Sequence, residues 1–226
     1  MGKRRTFVKP TDKDKDWGKR QNAGRPERGI LIKKTFLVYC EGENTEPEYF
    51  KSFPVRTDTR VEAIGLGMSR TALVKDVIRR KRKNEDKDLE IWVVFDRDIR
   101  YENQVQDNQD FNNAIYLAKK NNINCAYSND CFELWFLLHD EYLETEMHRT
   151  QIYSKLSDKL ELNYEKNGKG EDFAKNLYKT FIDRLPYAFR NAKKLHLSHS
   201  NKEYHLQNPC TTVYKLVEAL NENLRK

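Results

Sequence analysis

The chain has 226 residues, a length that suits one domain, and its 38% hydrophobic and 12% aromatic content can supply a core. No apolar run approaches the length that spans a bilayer, and the polar, charged amino terminus lacks a signal-peptide apolar region. These features argue against a membrane or secreted protein and predict a soluble, cytoplasmic one. Four widely separated cysteines without a Cys-x-x-Cys pair are consistent with reduced thiols.

The net charge of +7 is concentrated at the amino terminus. Residues 1–34 contain 12 Lys or Arg and 4 Asp or Glu, whereas the rest of the chain contains 30 and 31. Residues 1–30 also lack apolar periodicity, so we expect a largely disordered basic arm that favours a polyanion through its phosphates. A solubilising extension explains the same charge equally well. The arm residues expected to contact nucleic acid are Lys3, Arg4, Arg5, Lys19 and Arg20.

Strand-like and helix-like segments alternate from Lys34 onward, which is typical of a parallel sheet covered by helices. We predict four strands, near 34–40, 61–65, 90–95 and 123–127. Between them we predict helices over 47–53, from a cap at Ser69, and over 111–121. The fold class is therefore α/β, with a mainly parallel four-stranded sheet flanked by helices.

The helix that follows Ser69 ends in a basic run, Arg-Arg-Lys-Arg-Lys at 79–83. Cations at this end of a helix complement its dipole, and a solvated helix end explains the run. The alternative is a position beside a nucleic-acid path. Arg79, Arg80 and Arg82 are the candidate contacts for that alternative.

The segment 132–139 is apolar on nearly all sides, so we predict a helix packed into the core. Glu133 is conspicuous there, because a buried carboxylate is costly unless it is paired, protonated or bound to a metal. We predict that it belongs to a site, and an ion pair with Arg or Lys is the alternative. Residues 149–226 are predicted to be mostly helical, with the last helix starting near Pro209. The predicted organisation is an arm (1–30), an α/β domain (31–148) and a helical lobe (149–226) packed on that domain.

Acidic residues follow two of the predicted strands. The tetrapeptide 95–98, Phe-Asp-Arg-Asp, follows the third strand, and the first strand runs into the acidic segment 41–46. Because ligand crevices lie beyond the carboxyl ends of parallel strands, Glu41, Asp96 and Asp98 could converge. Carboxylates in this arrangement suit a hard divalent cation. Either motif alone is common on protein surfaces, but together they favour a metal site.

Two segments resemble the RloB-like branch of the Toprim proteins, which are related to the nuclease part of overcoming-lysogenization-defect proteins. They are 38–50, Val-Tyr-Cys-Glu-Gly-Glu-Asn-Thr-Glu-Pro-Glu-Tyr-Phe, and 92–98, Trp-Val-Val-Phe-Asp-Arg-Asp. The shared pattern is a strand-end glutamate followed later by Asp-x-Asp, and segments 128–139 and 208–217 also fit. The chain departs from the family pattern at Asp130, where proline is expected, and at Asp140, where an aromatic residue is expected.

The resemblance implies a Toprim-like fold and a nuclease that hydrolyses phosphodiester bonds with Mg²⁺ or Mn²⁺. Glu41, Asp96 and Asp98 are then the candidate catalytic residues and metal ligands, with Glu41 either a ligand or a general acid/base. Glu46 and Glu133 are candidates for a second ion. The resemblance also implies an anti-phage defence role in bacteria or archaea beside a separate ABC-type ATPase. No Walker spacing occurs in this chain, so we expect no nucleotide cofactor in it.

The sequence leaves the substrate and two other functions open. DNA and RNA, including tRNA, are all candidate substrates. One alternative function is a non-catalytic nucleic-acid-binding module that uses the basic arm, and metal dependence separates it from a nuclease. Another keeps the Toprim chemistry for RNA maturation or strand transfer, although no tyrosine stands out as a nucleophile. A zinc site is disfavoured, because His196, His199, His205 and Cys210 lack a Cys-x-x-Cys partner.

We predict that deletion of residues 1–30 weakens nucleic-acid binding and flattens its salt dependence, because the arm's cations no longer release phosphate counterions. The rest of the chain should still fold, since the arm lacks an apolar pattern with which to dock. Binding curves of the full-length and truncated proteins over a salt series test this. Superimposable curves would show that the arm serves another purpose, such as contact with the ATPase partner.

Overall fold

The computed structural model describes residues 31–83, 88–98, 101–168 and 170–225. The predicted basic arm, with Lys3, Arg4, Arg5, Lys19 and Arg20, lies outside the described residues. Residues Ile32–Lys226 form one compact unit. Within the described part of the chain, no helix is both long and apolar enough to cross a membrane.

Five strands form one sheet in the order β2-β1-β3-β4-β5. The first four are parallel, and β5 pairs antiparallel with β4. The strands are β1 (Lys34–Cys40), β2 (Thr59–Gly65), β3 (Leu89–Asp96), β4 (Asn124–Asn129) and β5 (Cys210–Thr211). The four predicted strands are confirmed to within two residues at each end. The prediction of only four strands was wrong, because a two-residue strand is too short to show apolar alternation.

Nine α-helices are found among the described residues. They are α1 (Thr45–Lys51), α2 (Arg70–Arg82), α3 (Gln104–Lys120), α4 (Leu134–Leu137), α5 (Arg149–Leu160), α6 (Tyr164–Asn167), α7 (Glu171–Phe181), α8 (Leu185–Ser198) and α9 (Val213–Asn221). Short 3₁₀ segments cover Tyr101–Asn103, Ile182–Arg184 and Tyr204–Leu206. Helices therefore separate consecutive parallel strands and dominate the carboxyl-terminal third, as predicted.

Four helices differ in their bounds from the sequence-based predictions. The first spans Thr45–Lys51 rather than 47–53. The third helix starts at Gln104 rather than 111, because its first two turns are polar and gave no apolar signal. The predicted helix over 132–139 is regular only over the single turn of α4. The last helix starts at Val213 rather than near Pro209, since β5 pairs with β4 first.

Both faces of the sheet are buried, as expected for parallel strands covered by helices. On one face, Phe36, Val38 and Cys40 of β1 share a core with α1 and with the helices from α4 to α9. On the other face, Leu37 and Tyr39 pack with α2 and α3. The carboxyl-terminal helices thus complete the core of the sheet rather than form a core of their own.

A buried hydrogen bond fastens α1 to α4 within the first of these cores. The indole Nε1 of Trp135 donates to the hydroxyl of Tyr49 over 2.9 Å, and both side chains are almost fully buried. The Tyr49 ring also packs edge-to-face against Phe132 and Phe136. This contact fixes the short segment that carries Glu133 against the helix that follows Glu41.

We expect Tyr49→Phe to lower the free energy of unfolding by about 1–3 kcal/mol, because the buried indole N–H of Trp135 loses its acceptor. Chemical denaturation measures this change. Tyr187→Phe is the matched control, since the Tyr187 side chain is 52% exposed and should change stability by no more than about 0.5 kcal/mol. Equal stability of the two variants would contradict the prediction.

Candidate functional site

The pairing of β1 with β3 places Glu41 directly beside Asp96. Cys40 and Val94 are partners in the register, and the backbone N–H of Glu41 continues the ladder to the carbonyl of Val94 over 2.9 Å. The Glu41 Oε2 then accepts a hydrogen bond from the backbone N–H of Asp96 over 3.3 Å. Two residues that are 55 positions apart in the sequence therefore meet at the carboxyl edge of the sheet.

A cavity of about 280 Å³ opens at this edge. Six carboxylate residues line it, namely Glu41, Glu43, Glu46, Asp96, Asp98 and Glu133. Among the described residues of the lining, Arg149 is the only cation. The cavity is therefore strongly acidic and suits a cationic ligand.

The two carboxylate oxygens of Asp96 differ in their hydrogen bonding. Its Oδ2 accepts a hydrogen bond from the backbone N–H of Phe132 over 2.8 Å, whereas its buried Oδ1 has no hydrogen-bond partner among the described residues. Burial, followed by repulsion from Glu46 and Glu133, raises the pKa of Asp96 well above its ordinary value. A buried carboxylate oxygen without a donor is an available ligand for a hard cation.

Burial also raises the pKa values of Glu46 and Glu41. Burial, with repulsion from Glu133 and Glu41, raises the pKa of Glu46 to about 7. Burial raises the pKa of Glu41 to about 6, partly offset by Arg70 and by the hydrogen bond from Asp96. The Glu46 carboxylate lies so close to Gly42 that a Cβ there would come within 2.1 Å of its Oε2. A side chain at 42 would therefore displace the Glu46 carboxylate from its present position.

Glu133 lies at the start of α4 and is 5% exposed. The hydroxyl of Tyr164 in α6 donates to its Oε1 over 3.5 Å. It lines the same cavity as Asp96 and Glu46, and its charge contributes to their raised pKa values. The structure therefore brings Glu133 into the same acidic group as Glu41, Glu46 and Asp96.

Asp98 also lines the cavity, but its carboxylate is directed differently. It forms an ion pair with Arg149 at the start of α5, and 46% of its side chain is exposed. Its backbone is in the left-handed region, with φ of 50°, and its N–H donates to the carbonyl of Asp130 over 3.3 Å. As the side chains stand, no three His, Cys, Asp or Glu residues of the described chain are grouped to hold one metal ion.

Two buried arginines hold the Asp-Arg-Asp segment in place: Arg97, its middle residue, and Arg70 of α2. Arg97 is 4% exposed, and its guanidinium donates to Asn108 and Asn129 over 3.0 and 3.2 Å. Arg70 donates to the carbonyl of Arg97 and pairs with Asp107 over 3.3 Å. Sequence reasoning missed this network, because an arginine between two aspartates is typical of an exposed turn and its partners lie on distant elements.

The candidate cations of α2 lie away from the cavity. Arg79 and Arg80 are exposed and pair with Asp76 over 2.9 and 2.5 Å. Arg70, at the other end of the helix, is the residue that contacts the Asp-Arg-Asp segment. At 1.5 Å per residue, the basic end that includes Arg82 is roughly 14–18 Å farther along the helix. These cations are therefore separate from the acidic site.

Comparison with protein families matches residues 36–220 to the family described as RloB-like protein. The chain belongs to the RloB-like family. The match includes β2 to β5, all of β1 except its first two residues, and every residue of the acidic cavity named above. No curated protein and no solved structure matches the chain.

We predict that Glu46→Gln stabilises the metal-free protein at pH 8 by about 2–3 kcal/mol. With an ordinary value of 4.5 in the unfolded chain and a folded pKa of about 7, Glu46 binds more protons in the folded state between these values. Its contribution to stability is therefore lost as pH rises from about 4.5 to about 7, and glutamine avoids that loss.

Denaturation of the wild type and the variant at pH 4.5 and pH 8 tests this expectation. The advantage of Glu46→Gln should be much smaller at the lower pH. Glu48→Gln is the matched control, because Glu48 lies on the same helix but pairs with Lys51 outside the acidic group. A pH-independent effect of Glu46→Gln would show that its carboxylate is not the cause.

Proposed function

We propose that this protein is a Toprim-type, metal-dependent nuclease that hydrolyses phosphodiester bonds in DNA or RNA. The observation that carries the proposal is the Asp96 carboxylate, which lies beside Glu41 in an acidic cavity and whose buried Oδ1 has no donor in the described part of the chain. Membership of the RloB-like family adds support. We further propose that it is the effector of a prokaryotic anti-phage system that includes a separate ABC-type ATPase.

The acidic group fits Mg²⁺ or Mn²⁺ in the type of its donors. All of its side-chain donors are carboxylate oxygens, which hard divalent cations prefer, and a cation would relieve the repulsion between Glu41, Glu46, Asp96 and Glu133. Asp96 and Glu41 are the first candidate ligands, and Glu46 and Glu133 are candidates for a second ion. When bound, such an ion supplies Lewis-acid polarisation of a phosphoryl oxygen and activation of water.

Glu41 has two compatible roles in this proposal. A pKa of about 6 allows its carboxyl group to gain or lose a proton close to neutral pH, as a general acid or base must. Its contact with the backbone N–H of Asp96 also holds it where it could act as a metal ligand. Asp96 is better suited to a fixed ligand, because the N–H of Phe132 orients its carboxylate.

We expect Asp96→Asn and Glu41→Gln each to reduce metal-dependent cleavage at least about a hundredfold, because each removes a carboxylate with little change of shape. The assay incubates purified protein with plasmid DNA, single-stranded DNA and tRNA in Mg²⁺, Mn²⁺ or EDTA. Circular dichroism verifies that each variant is folded. Glu62→Gln is the matched control, since Glu62 lies on β2 with its side chain 40% exposed and pairs with Arg60.

The same experiment separates the nuclease from a binding module. Cleavage that needs metal and is lost in both variants supports the proposal, and the substrate that is cut distinguishes DNA from RNA. Undiminished cleavage by Asp96→Asn would reject its role as a ligand. Nucleic-acid binding by the wild type without cleavage in any metal would favour the non-catalytic alternative.

A further inference from the structure

Arg149 in the acidic cavity forms ion pairs with two aspartates, one partly exposed and one fully buried. We propose that Arg149 binds a phosphate group of the nucleic-acid substrate, and that the phosphate takes the place of Asp98, which then turns towards the cavity. This inference deepens the proposed nuclease function and rests on it for the identity of the substrate. It assigns to Arg149 a positioning role that links substrate binding to completion of the acidic site.

One aspartate, Asp130, accepts two hydrogen bonds from Arg149. Its Oδ2 accepts from the backbone N–H of Arg149 over 3.0 Å, and its Oδ1 accepts from Nη2 over 3.3 Å. The Asp130 side chain is fully buried, so its contacts with Arg149 are shielded from water. The pair therefore fixes both the start of α5 and the direction of the guanidinium.

The other aspartate, Asp98, is a weaker and replaceable partner. It contacts Nη1 of Arg149, and 46% of its side chain is exposed, compared with 24% for Arg149. Exposed ion pairs of this kind contribute only about 0.2–1 kcal/mol. A phosphate offers the planar guanidinium a stronger, bidentate partner. Phosphate can thus displace Asp98 while the bonds to Asp130 persist.

Release of Asp98 has a direct consequence for the cavity. Its carboxylate is two residues from Asp96 and already belongs to the cavity lining. Freed from Arg149, it can add a further oxygen donor to the group that contains Asp96 and Glu41. Binding of phosphate and of a divalent cation should therefore strengthen each other, and this coupling must be reciprocal.

The first test measures binding of a fluorescent single-stranded oligonucleotide in EDTA, where no cleavage occurs. Arg149→Gln should weaken binding about tenfold or more, because a charged hydrogen-bond donor is lost. Asp98→Asn should tighten it about two- to fivefold, because Arg149 is released. In the double variant the gain from Asp98→Asn should vanish. Glu43→Gln controls for general loss of negative charge in the same lining.

The second test titrates the protein with Mn²⁺ alone and follows the ion by electron paramagnetic resonance. Asp98→Asn should have little effect while Arg149 is present, because the carboxylate is already engaged. In the Arg149→Gln background, Asp98→Asn should weaken Mn²⁺ binding about two- to fivefold. Thermal unfolding verifies that the variants fold, and Arg149→Lys preserves the charge beside Asp130 if glutamine does not fold.

The two titrations distinguish this inference from the nuclease proposal. If Asp98→Asn has the same effect with and without Arg149 in both titrations, the coupling is refuted and Arg149 serves only to compensate Asp130. Wild-type cleavage together with that result would leave the nuclease proposal standing. Coupling in both titrations without cleavage would support the role of Arg149 and reject the nuclease activity.

Discussion

The parallel pairing of β1 with β3 is the constraint on which the acidic site depends. It aligns Cys40 with Val94, so that Glu41, directly after β1, and Asp96, the last residue of β3, share the same edge of the sheet. The core fixes this register, because a shift by one residue would exchange Phe36 and Val38 with Leu37 and Tyr39 across the sheet. Packing on both faces therefore holds Glu41 beside the backbone of Asp96, although that arrangement is electrostatically unfavourable.

The surrounding structure compensates this cost only in part. The backbone N–H of Asp96 donates to Glu41, and that of Phe132 donates to the Asp96 carboxylate. The positive charge of Arg70 favours ionisation of Glu41. Repulsion among the carboxylates persists, and no residue that the structure describes donates to the Oδ1 of Asp96. Sites that are kept unfavourable in this way are common where a ligand completes the charge balance. The packed sheet edge holds these carboxylates together in the folded state despite their repulsion.

The sequence predicts the parts of this site that arise from local patterns. Apolar strands end in acids, so Glu41 and Asp96 were expected at one edge, and Glu133 was noticed because it interrupts an apolar run. The support from Arg97 and Arg70 was not predictable, because it depends on Asn108, Asn129 and Asp107 from other elements. Likewise β5 has two residues and is defined only by its partner β4. Long-range polar contacts leave no periodic signal in a single sequence.

Asp96 and Asp98 show how one short motif can supply two kinds of carboxylate. The first is the last residue of β3, and the N–H of Phe132 orients it, so the strand and this hydrogen bond set its position. The second lies beyond the strand in a left-handed conformation, with a side chain that is 46% exposed and paired with Arg149. A fixed ligand lowers the cost of ordering the site, whereas an exchangeable one allows the site to respond to what has bound. In the proposed nuclease, this combination of a rigid and an adjustable acid would make metal binding depend on substrate.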